Sequence, residues 1–197
     1  EATEKIANRV LGSFIKWEIN LRGAFSIREF LIIAAYFRYA DSASFGDVDR
    51  LPVEERYRLG GIHGIRGLED ESVRPVDAQG DPIGGIPGGD SLLMGTLELR
   101  VPVLRRSFGE LWLGFFLDWG GLAEATDEFE AESIRWTAGV GIRTLISGIA
   151  IRFDVGFNPD PRCKVRDDGS PIRTANGGCS NSTEDIAKTH FGLLYTF

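Results

Sequence analysis

Seven stretches of the chain alternate apolar side chains with polar or small ones, residue by residue. Successive side chains of a β-strand point to opposite faces, so each stretch is predicted to be a strand with one apolar face. No apolar run approaches the roughly 20 residues that a membrane-spanning helix needs. The sequence therefore predicts an all-β protein, with strands at residues 11–22, 30–39, 91–103, 110–120, 133–144, 149–158 and 190–197.

The connections between these predicted strands are alternately short and long. The short ones are 23–29, 104–109 and 145–148, and the long ones are 40–90, 121–132 and 159–187. A soluble sandwich would show the same alternation within each strand. A regular short-long order is typical of an antiparallel up-and-down transmembrane β-barrel, with tight turns at one rim and long loops at the other. We therefore expect a transmembrane barrel.

The last predicted strand supports a lipid-facing surface. Phe191, Leu193, Tyr195 and Phe197 share one face, and the aromatic at the end of the strand fits the aromatic girdle of a membrane barrel. The mean hydropathy of −0.08 is the average expected when each strand places one side in lipid and the other in water.

Charge and residue content exclude several classes of function. A net charge of −7 argues against a nucleic-acid-binding protein, which usually carries a basic face. His63 and His190 are too few and too isolated to form a catalytic or metal site, and the 167–170 segment lacks the alternating ligands of a calcium loop. We expect no enzymatic activity, no metal and no cofactor.

Both cysteines, Cys163 and Cys179, lie in one polar stretch at 159–186. A metal site needs more ligands than two cysteines and a distant histidine, so a disulfide between them is favoured over a metal site. Closing a loop of about 15 residues would remove about 3 kcal/mol of unfolded-state conformational freedom. The disulfide would place this connection in an oxidising compartment.

The longest connection carries a glycine-rich motif, Gly60-Gly61 followed by Ile65-Arg66-Gly67-Leu68. It resembles the long sixth external loop of the outer-membrane assembly barrels, the BamA and TamA superfamily, also called the bacterial surface antigen family. In that family a Gly-Gly pair precedes a hydrophobic-Arg-Gly-aromatic tetrad, and the loop folds back into the barrel lumen. Leu68 stands where the family usually has an aromatic residue. The resemblance implies a lumen-inserting external loop at about 40–90.

Two later strands resemble the same family, at 97–102 and at 115–120, where an Asp precedes Trp-Gly. Period-two counting places Glu98 and Asp118 on the polar rows of neighbouring strands. An arginine on an inserted loop can bridge both through charge-assisted hydrogen bonds. The resemblance implies this role for Arg66.

The last eight residues resemble the barrel-targeting signal of outer-membrane proteins, polar-x-Gly-x-x-hydrophobic-x-aromatic. His190, Gly192, Tyr195 and Phe197 occupy its defined positions. In the family a seam joins the first and last strands of the barrel. The resemblance implies that this strand forms one side of the seam.

Seven strands are an odd number, whereas bacterial single-chain barrels close with even numbers from eight upward. Either an eighth strand lies unrecognised near 1–8 or the chain is part of a larger barrel, and the second is preferred. The resemblance implies that residues 1–197 are the C-terminal part of a barrel in the bacterial outer membrane, with about seven of a probable sixteen strands.

The resemblance also implies a function, which is assistance in the assembly and insertion of other β-barrel proteins into the outer membrane. The implied partners are outer-membrane lipid, unfolded barrel-protein clients and periplasmic assembly factors. Two alternatives remain open: a protein-translocating pore of the same superfamily, of the two-partner secretion type, and a small structural outer-membrane barrel.

Overall fold

Seven antiparallel strands form one sheet in the computed structural model, and their order in the sheet is their order in the chain. The strands are β1 (Ser13–Ile27), β2 (Leu31–Phe45), β3 (Ser91–Arg106), β4 (Gly109–Ala123), β5 (Arg135–Ile146), β6 (Ile149–Phe157) and β7 (Ala187–Tyr195). The structure describes residues 13–27, 30–45, 51–77, 83, 88–106, 109–125, 129–146, 149–163 and 184–195. The predicted all-β, up-and-down organisation is confirmed.

Several strands extend further than their sequence pattern predicted. The turn predicted at 23–29 is wrong, because β1 continues to Ile27 and pairs with β2 through Gly23–Ala35 and Ala24–Ala34. Small side chains hide the period-two pattern there, while backbone pairing continues. β3 likewise continues to Arg106, past a register shift between Pro102 and Leu104, and such a bulge is where a strand tolerates proline.

The two faces of the sheet have opposite character. The outward face carries large apolar side chains that are exposed, including Phe115, Leu117, Trp136, Phe153 and Phe191. The other face, called the polar face below, carries charged side chains that are buried, including Glu98, Asp118 and Asp154. An exposed apolar surface of this extent marks contact with a membrane or a partner. In a membrane barrel the apolar face meets lipid and the polar face lines the interior.

The connection between β2 and β3 lies against the polar face. Residues 51–77, called the motif loop below, contain a short 3₁₀ turn at Val53–Glu55. Tyr57 of this loop forms an isolated antiparallel bridge with Gly89, which lies just before β3. A buried apolar core joins the motif loop to the sheet. Its members are Ala40, Tyr57, Leu59, Ile65, Leu68, Val73, Leu92, Met94 and Leu122. The buried apolar core therefore lies between the motif loop and the polar face.

Glycines on the polar face make room for the motif loop. A Cβ atom added to Gly156 would lie 2.5 Å from the backbone nitrogen of Gly67, so only glycine allows this approach. Gly139 pairs with Gly156 across β5 and β6, which makes a depression in the sheet where the two backbones meet. Among the described residues, no helix has the length and apolar character needed to cross a membrane.

Candidate functional site: the motif loop on the polar face

Backbone conformation sets the path of the motif. Gly60 has φ +125° and Gly67 has φ +95°, both in the region that side chains with a Cβ rarely adopt. These conformations bend the chain sharply before and after the segment that carries Arg66. Arg66 is thereby held against the polar face.

Arg66 is buried in a network of carboxylates. Its Nε and Nη2 donate to the two oxygens of Asp118 at 2.6 and 2.7 Å, and its Nη1 donates to Glu98 Oε2 at 2.8 Å. The backbone N–H of Arg66 also donates to Asp118 at 3.1 Å. The Arg66 side chain is 3% exposed and that of Asp118 is 0% exposed. The bidentate geometry therefore fixes both the side chain and the backbone of the loop.

Two contacts to uncharged groups complete the pocket around Arg66. The guanidinium carbon lies 3.6 Å from the centre of the Phe116 ring, in cation–π geometry. The hydroxyl of Thr137 donates to the carbonyl oxygen of Arg66. Thr137 and Asp118 face each other in the β4–β5 register. Paired positions of these two strands therefore bind the side chain, the N–H and the carbonyl of Arg66.

Further charges join Arg66 to β5 and β6. Arg143 bridges Glu98 and Asp154 at 2.8 and 2.7 Å, and Arg152 donates to Asp154 at 2.5 Å. Arg66 Nη1 lies 3.6 Å from the same Asp154. We call Arg66, Glu98, Asp118, Arg143 and Asp154 the Arg66 cluster.

The electrostatics of the cluster favour charged Arg66. Burial alone would lower the pKa of Arg66, but the hydrogen bonds and charges of Asp118 and Glu98 outweigh burial and raise that pKa above its usual value. The guanidinium is therefore permanently charged. Removing it would leave buried carboxylates without their main partner, which is the costly way to break a buried ion pair.

The residues that follow Arg66 reach the last two strands. The N–H of Gly67 donates to His190 Nε2 at 3.0 Å. Arg152 donates to the carbonyl of Ile62 at 3.4 Å, and Lys188 pairs with Glu69 at 3.0 Å. The motif loop therefore contacts β3 and β4 through Arg66 and β6 and β7 through its neighbours.

Comparison with known proteins identifies the family. The sequence model of the Omp85 superfamily domain matches residues 10–170. The chain belongs to the Omp85 superfamily. Members of this family are outer-membrane β-barrel proteins, so the predicted transmembrane barrel, its location in the outer membrane and the family resemblance are confirmed.

Two known proteins are similar to this Omp85 domain in sequence or in structure. The human sorting and assembly machinery component 50 homolog is 32% identical over 158 residues, covering 70% of this chain and 31% of that protein. The crystal structure of BamA from Haemophilus ducreyi lacking POTRA domains 1–3 superposes with a TM-score of 0.59 at 16% identity, covering 91% of this chain and 35% of that one. The chain spans about a third of the length of each.

The other expected site residues of this Omp85 domain lie in the motif loop and on β7. Gly60, Gly61, Ile65 and Leu68 shape or pack the motif loop, and Ile65 and Leu68 are buried in the core shared with the sheet. Leu68 thus fills an apolar position without an aromatic ring. Gly192 and His190 lie on the polar side of β7, where Gly192 leaves space for Ile62.

The remaining expected residues are only partly described. Cys163 is disulfide-bonded, whereas Cys179 lies outside the described residues, so their pairing stays a prediction. Phe197 also lies outside them, as does the side chain of Tyr195. The role of these aromatics in a terminal signal stays a prediction.

A second buried ion cluster in this Omp85 domain was missed from the sequence. Arg56 lies 3.1 Å from Asp90 and 2.5 Å from Glu124, and its side chain is 1% exposed. Its Nη1 also donates to the carbonyl of Gly88 at 3.2 Å. This cluster fixes the beginning of the motif loop to the start of β3 and the end of β4. The sequence signal, one arginine after two glutamates, is too common to identify it.

A third cluster fixes the connection before β7. Arg135 donates to both oxygens of Glu184 at 3.0 and 2.5 Å, and Asn158 and the backbone N–H of Arg162 add bonds of 3.0 and 3.1 Å. Burial alone would raise the pKa of Glu184, but these partners, led by Arg135, hold that pKa below its ordinary value.

Proposed function

We propose that this chain is part of an outer-membrane barrel that assists the insertion of other β-barrel proteins. The observation that carries the proposal is the buried Arg66 cluster, in which one loop residue joins the interior faces of β3 and β4 by three side-chain hydrogen bonds. The name of the human relative, a component of a sorting and assembly machinery, points the same way. The implied partners are outer-membrane lipid, unfolded barrel-protein clients and periplasmic assembly factors.

The physical problem of insertion is the backbone of the client. A strand that enters lipid unpaired leaves N–H and C=O groups unsatisfied, each costing several kcal/mol. A barrel that exposes a strand edge at its seam provides hydrogen-bonding partners, and the client adds strands by pairing instead of crossing bare lipid. In the described sheet, β7 has a single neighbour, β6, and is the proposed seam strand.

An insertion barrel must open at its seam without losing its shape. The motif loop is suited to this task because its contacts reach β3, β4, β5, β6 and β7 from the interior. Gly192 in β7 contributes no side-chain packing, which weakens the strand that is proposed to open. The loop would hold the remaining strands in register while β7 exchanges partners.

The test compares two arginines of the motif loop. Arg66→Ala removes the centre of the buried cluster, whereas Arg74→Ala removes an arginine that has no ion pair among the described residues. In the full-length protein we expect Arg66→Ala to reduce both heat-modifiability on gels and the level of folded client barrels, with Arg74→Ala close to the native protein. Equal heat-modifiability and equal client levels in the two variants would refute the assigned role.

A second readout separates insertion from translocation. If Arg66→Ala leaves client barrels at native levels but stops the export of a secreted partner, the chain belongs to a protein-translocating pore and the insertion proposal fails. If client barrels disappear first and export is unaffected, the insertion proposal stands.

A further inference from the structure

We infer that His190 is a positioning residue that connects the position of β7 to the motif loop, and that this connection requires a neutral imidazole. Nε2 of His190 accepts the N–H of Gly67 at 3.0 Å, in a site where His190 is 9% exposed. We call this hydrogen bond the His190 latch. Its consequence for client insertion rests on the proposed function, whereas the latch itself is a property of the fold.

The donor side of the latch is fixed by the Arg66 cluster. The backbone of Arg66 is bound on both sides, because its N–H donates to Asp118 and its carbonyl accepts from Thr137. The direction of the next N–H, that of Gly67, is set by this geometry and by the positive φ of Gly67. Gly67 also packs against Gly156 of β6, so its N–H cannot turn away from β7 without moving the loop.

The acceptor side of the latch lies on β7. His190 pairs in register with Asp154 of β6 and projects to the polar face. The second polar contact between the loop and β7, Lys188 with Glu69, joins side chains that are 33% and 46% exposed, and such pairs contribute little. The buried His190 latch is therefore the stronger of these two connections between the motif loop and β7.

Protonation changes what His190 can do. A neutral imidazole with its hydrogen on Nδ1 accepts at Nε2, whereas an imidazolium has hydrogens on both nitrogens and accepts at neither. The charged groups that act on the ring are Asp70 of the loop, Asp154 and Arg152 of β6, and Lys188 of β7. Arg152 and Lys188 carry only donors, and the Gly67 N–H donates to the imidazole and not to either carboxylate. Protonation therefore breaks the latch and leaves a buried N–H facing a cation.

The experiment measures amide hydrogen exchange of the 187–195 segment in the full-length protein in lipid nanodiscs. Rates are divided by the intrinsic rate at each of two conditions, about pH 7.5 and about pH 5, which lie on either side of the ordinary histidine pKa. The variants are His190→Gln, whose amide oxygen can accept without titrating, and His190→Leu, which cannot accept. The control is His63→Gln, because His63 is an exposed histidine of the same loop.

We expect normalised exchange of β7 in the native protein and in His63→Gln to rise about tenfold on acidification, the ratio expected for one hydrogen bond of ordinary strength. His190→Gln should stay protected at both pH values. His190→Leu should exchange rapidly at both. If His190→Leu does not fold, the comparison of His190→Gln with the native protein still decides.

Two results would overturn the latch: β7 exchange that does not change with pH in the native protein, or the same pH response in His190→Gln as in the native protein. Client insertion is measured in parallel with the same variants. Changed β7 exchange with normal client levels would support the latch and refute the proposed function, so the two failures are distinguishable.

Discussion

At the scale of single residues, the interior of this Omp85 domain is stabilised by arginines that are each surrounded by carboxylates. Arg66 and Arg56 both lie in the motif loop. Arg66 pairs with Glu98 on β3 and Asp118 on β4. Arg56 pairs with Asp90 just before β3 and Glu124 just after β4. Apolar contacts surround these clusters. The loop is therefore fixed at two points, one in the middle of the sheet and one at the end of the strands.

The Arg56 cluster gives a prediction with a matched control. Arg56→Ala leaves Asp90 and Glu124 buried without their cation, and breaking a buried pair in this way costs about 3–5 kcal/mol. Arg58→Ala breaks the pair with Glu71, whose side chains are 33% and 57% exposed, and exposed pairs contribute about 0–1 kcal/mol. Urea unfolding of the refolded barrel should separate the two variants, and equal midpoints would contradict the importance of Arg56.

At this scale the sequence predicts the Arg66 partners and not those of Arg56 or His190. Period-two alternation places Glu98 and Asp118 on one face, and the family resemblance links them to Arg66. The partners of Arg56 lie where strands begin or end, and there alternation carries no information. The role of His190 as an acceptor depends on the fold of a loop more than a hundred residues away. No local pattern could indicate it.

At the scale of elements, the motif loop packs closely on the sheet where glycines leave room for its backbone. Gly156→Val is expected to displace the loop, because even its Cβ would overlap the backbone of Gly67. Limited trypsin digestion should then cut the loop at least about tenfold faster than in the native protein, because cleavage tracks the population of the open loop and a local destabilisation of about 1.4 kcal/mol raises that population tenfold. Gly23→Val is the control, since a Cβ at Gly23 meets nothing within 4 Å. Equal cleavage of both variants would show that the fit at Gly156 is unimportant.

The connection before β7 gives a pH prediction. The folded-state pKa of Glu184 is lowered, so its contribution to stability is complete above the unfolded value of about 4.5 and is lost as pH falls through the folded pKa. Heat-unfolding midpoints of native protein and Glu184→Gln should therefore differ most at neutral pH and converge in acid. A difference that stays constant from about pH 7 to about pH 3 would contradict the charged pairing with Arg135.

The elements themselves were largely predictable, and their ends were not. Alternation predicts all seven strands, and it is least clear in β2, where the row opposite the apolar one contains Ile32 and Ala34. The first turn was wrongly placed because Gly23 and Ala24 carry no information about which face they occupy. Backbone pairing with β2 decides their structure, and pairing is not visible in one strand alone.

At the scale of the whole molecule, the apolar surface faces outward and the charges face inward, as a lipid environment requires. Leu117→Arg places a charge on the lipid-facing side of β4, where a cation near the membrane midplane costs about 2–4 kcal/mol. Asn20→Arg places the same charge on the polar face of β1. We expect folded, heat-modifiable protein in lipid vesicles to fall strongly for Leu117→Arg and little for Asn20→Arg. The reverse order would assign the wrong face to lipid.

The contact between Gly67 and His190 joins positions 123 residues apart in the chain. Contacts of such separation form late, because the entropy of closing the intervening segment must be overcome first. The contacts of Arg66 with Glu98 and Asp118 span only 32 and 52 residues. Arg66 can therefore enter the interior once β3 and β4 are in place, before the contact with β7 forms. The motif loop is thus secured in two stages of the barrel's own biogenesis, first at Arg66 and last at Gly67. A barrel whose last strand is absent would keep Arg66 buried and would leave the Gly67 N–H without its acceptor.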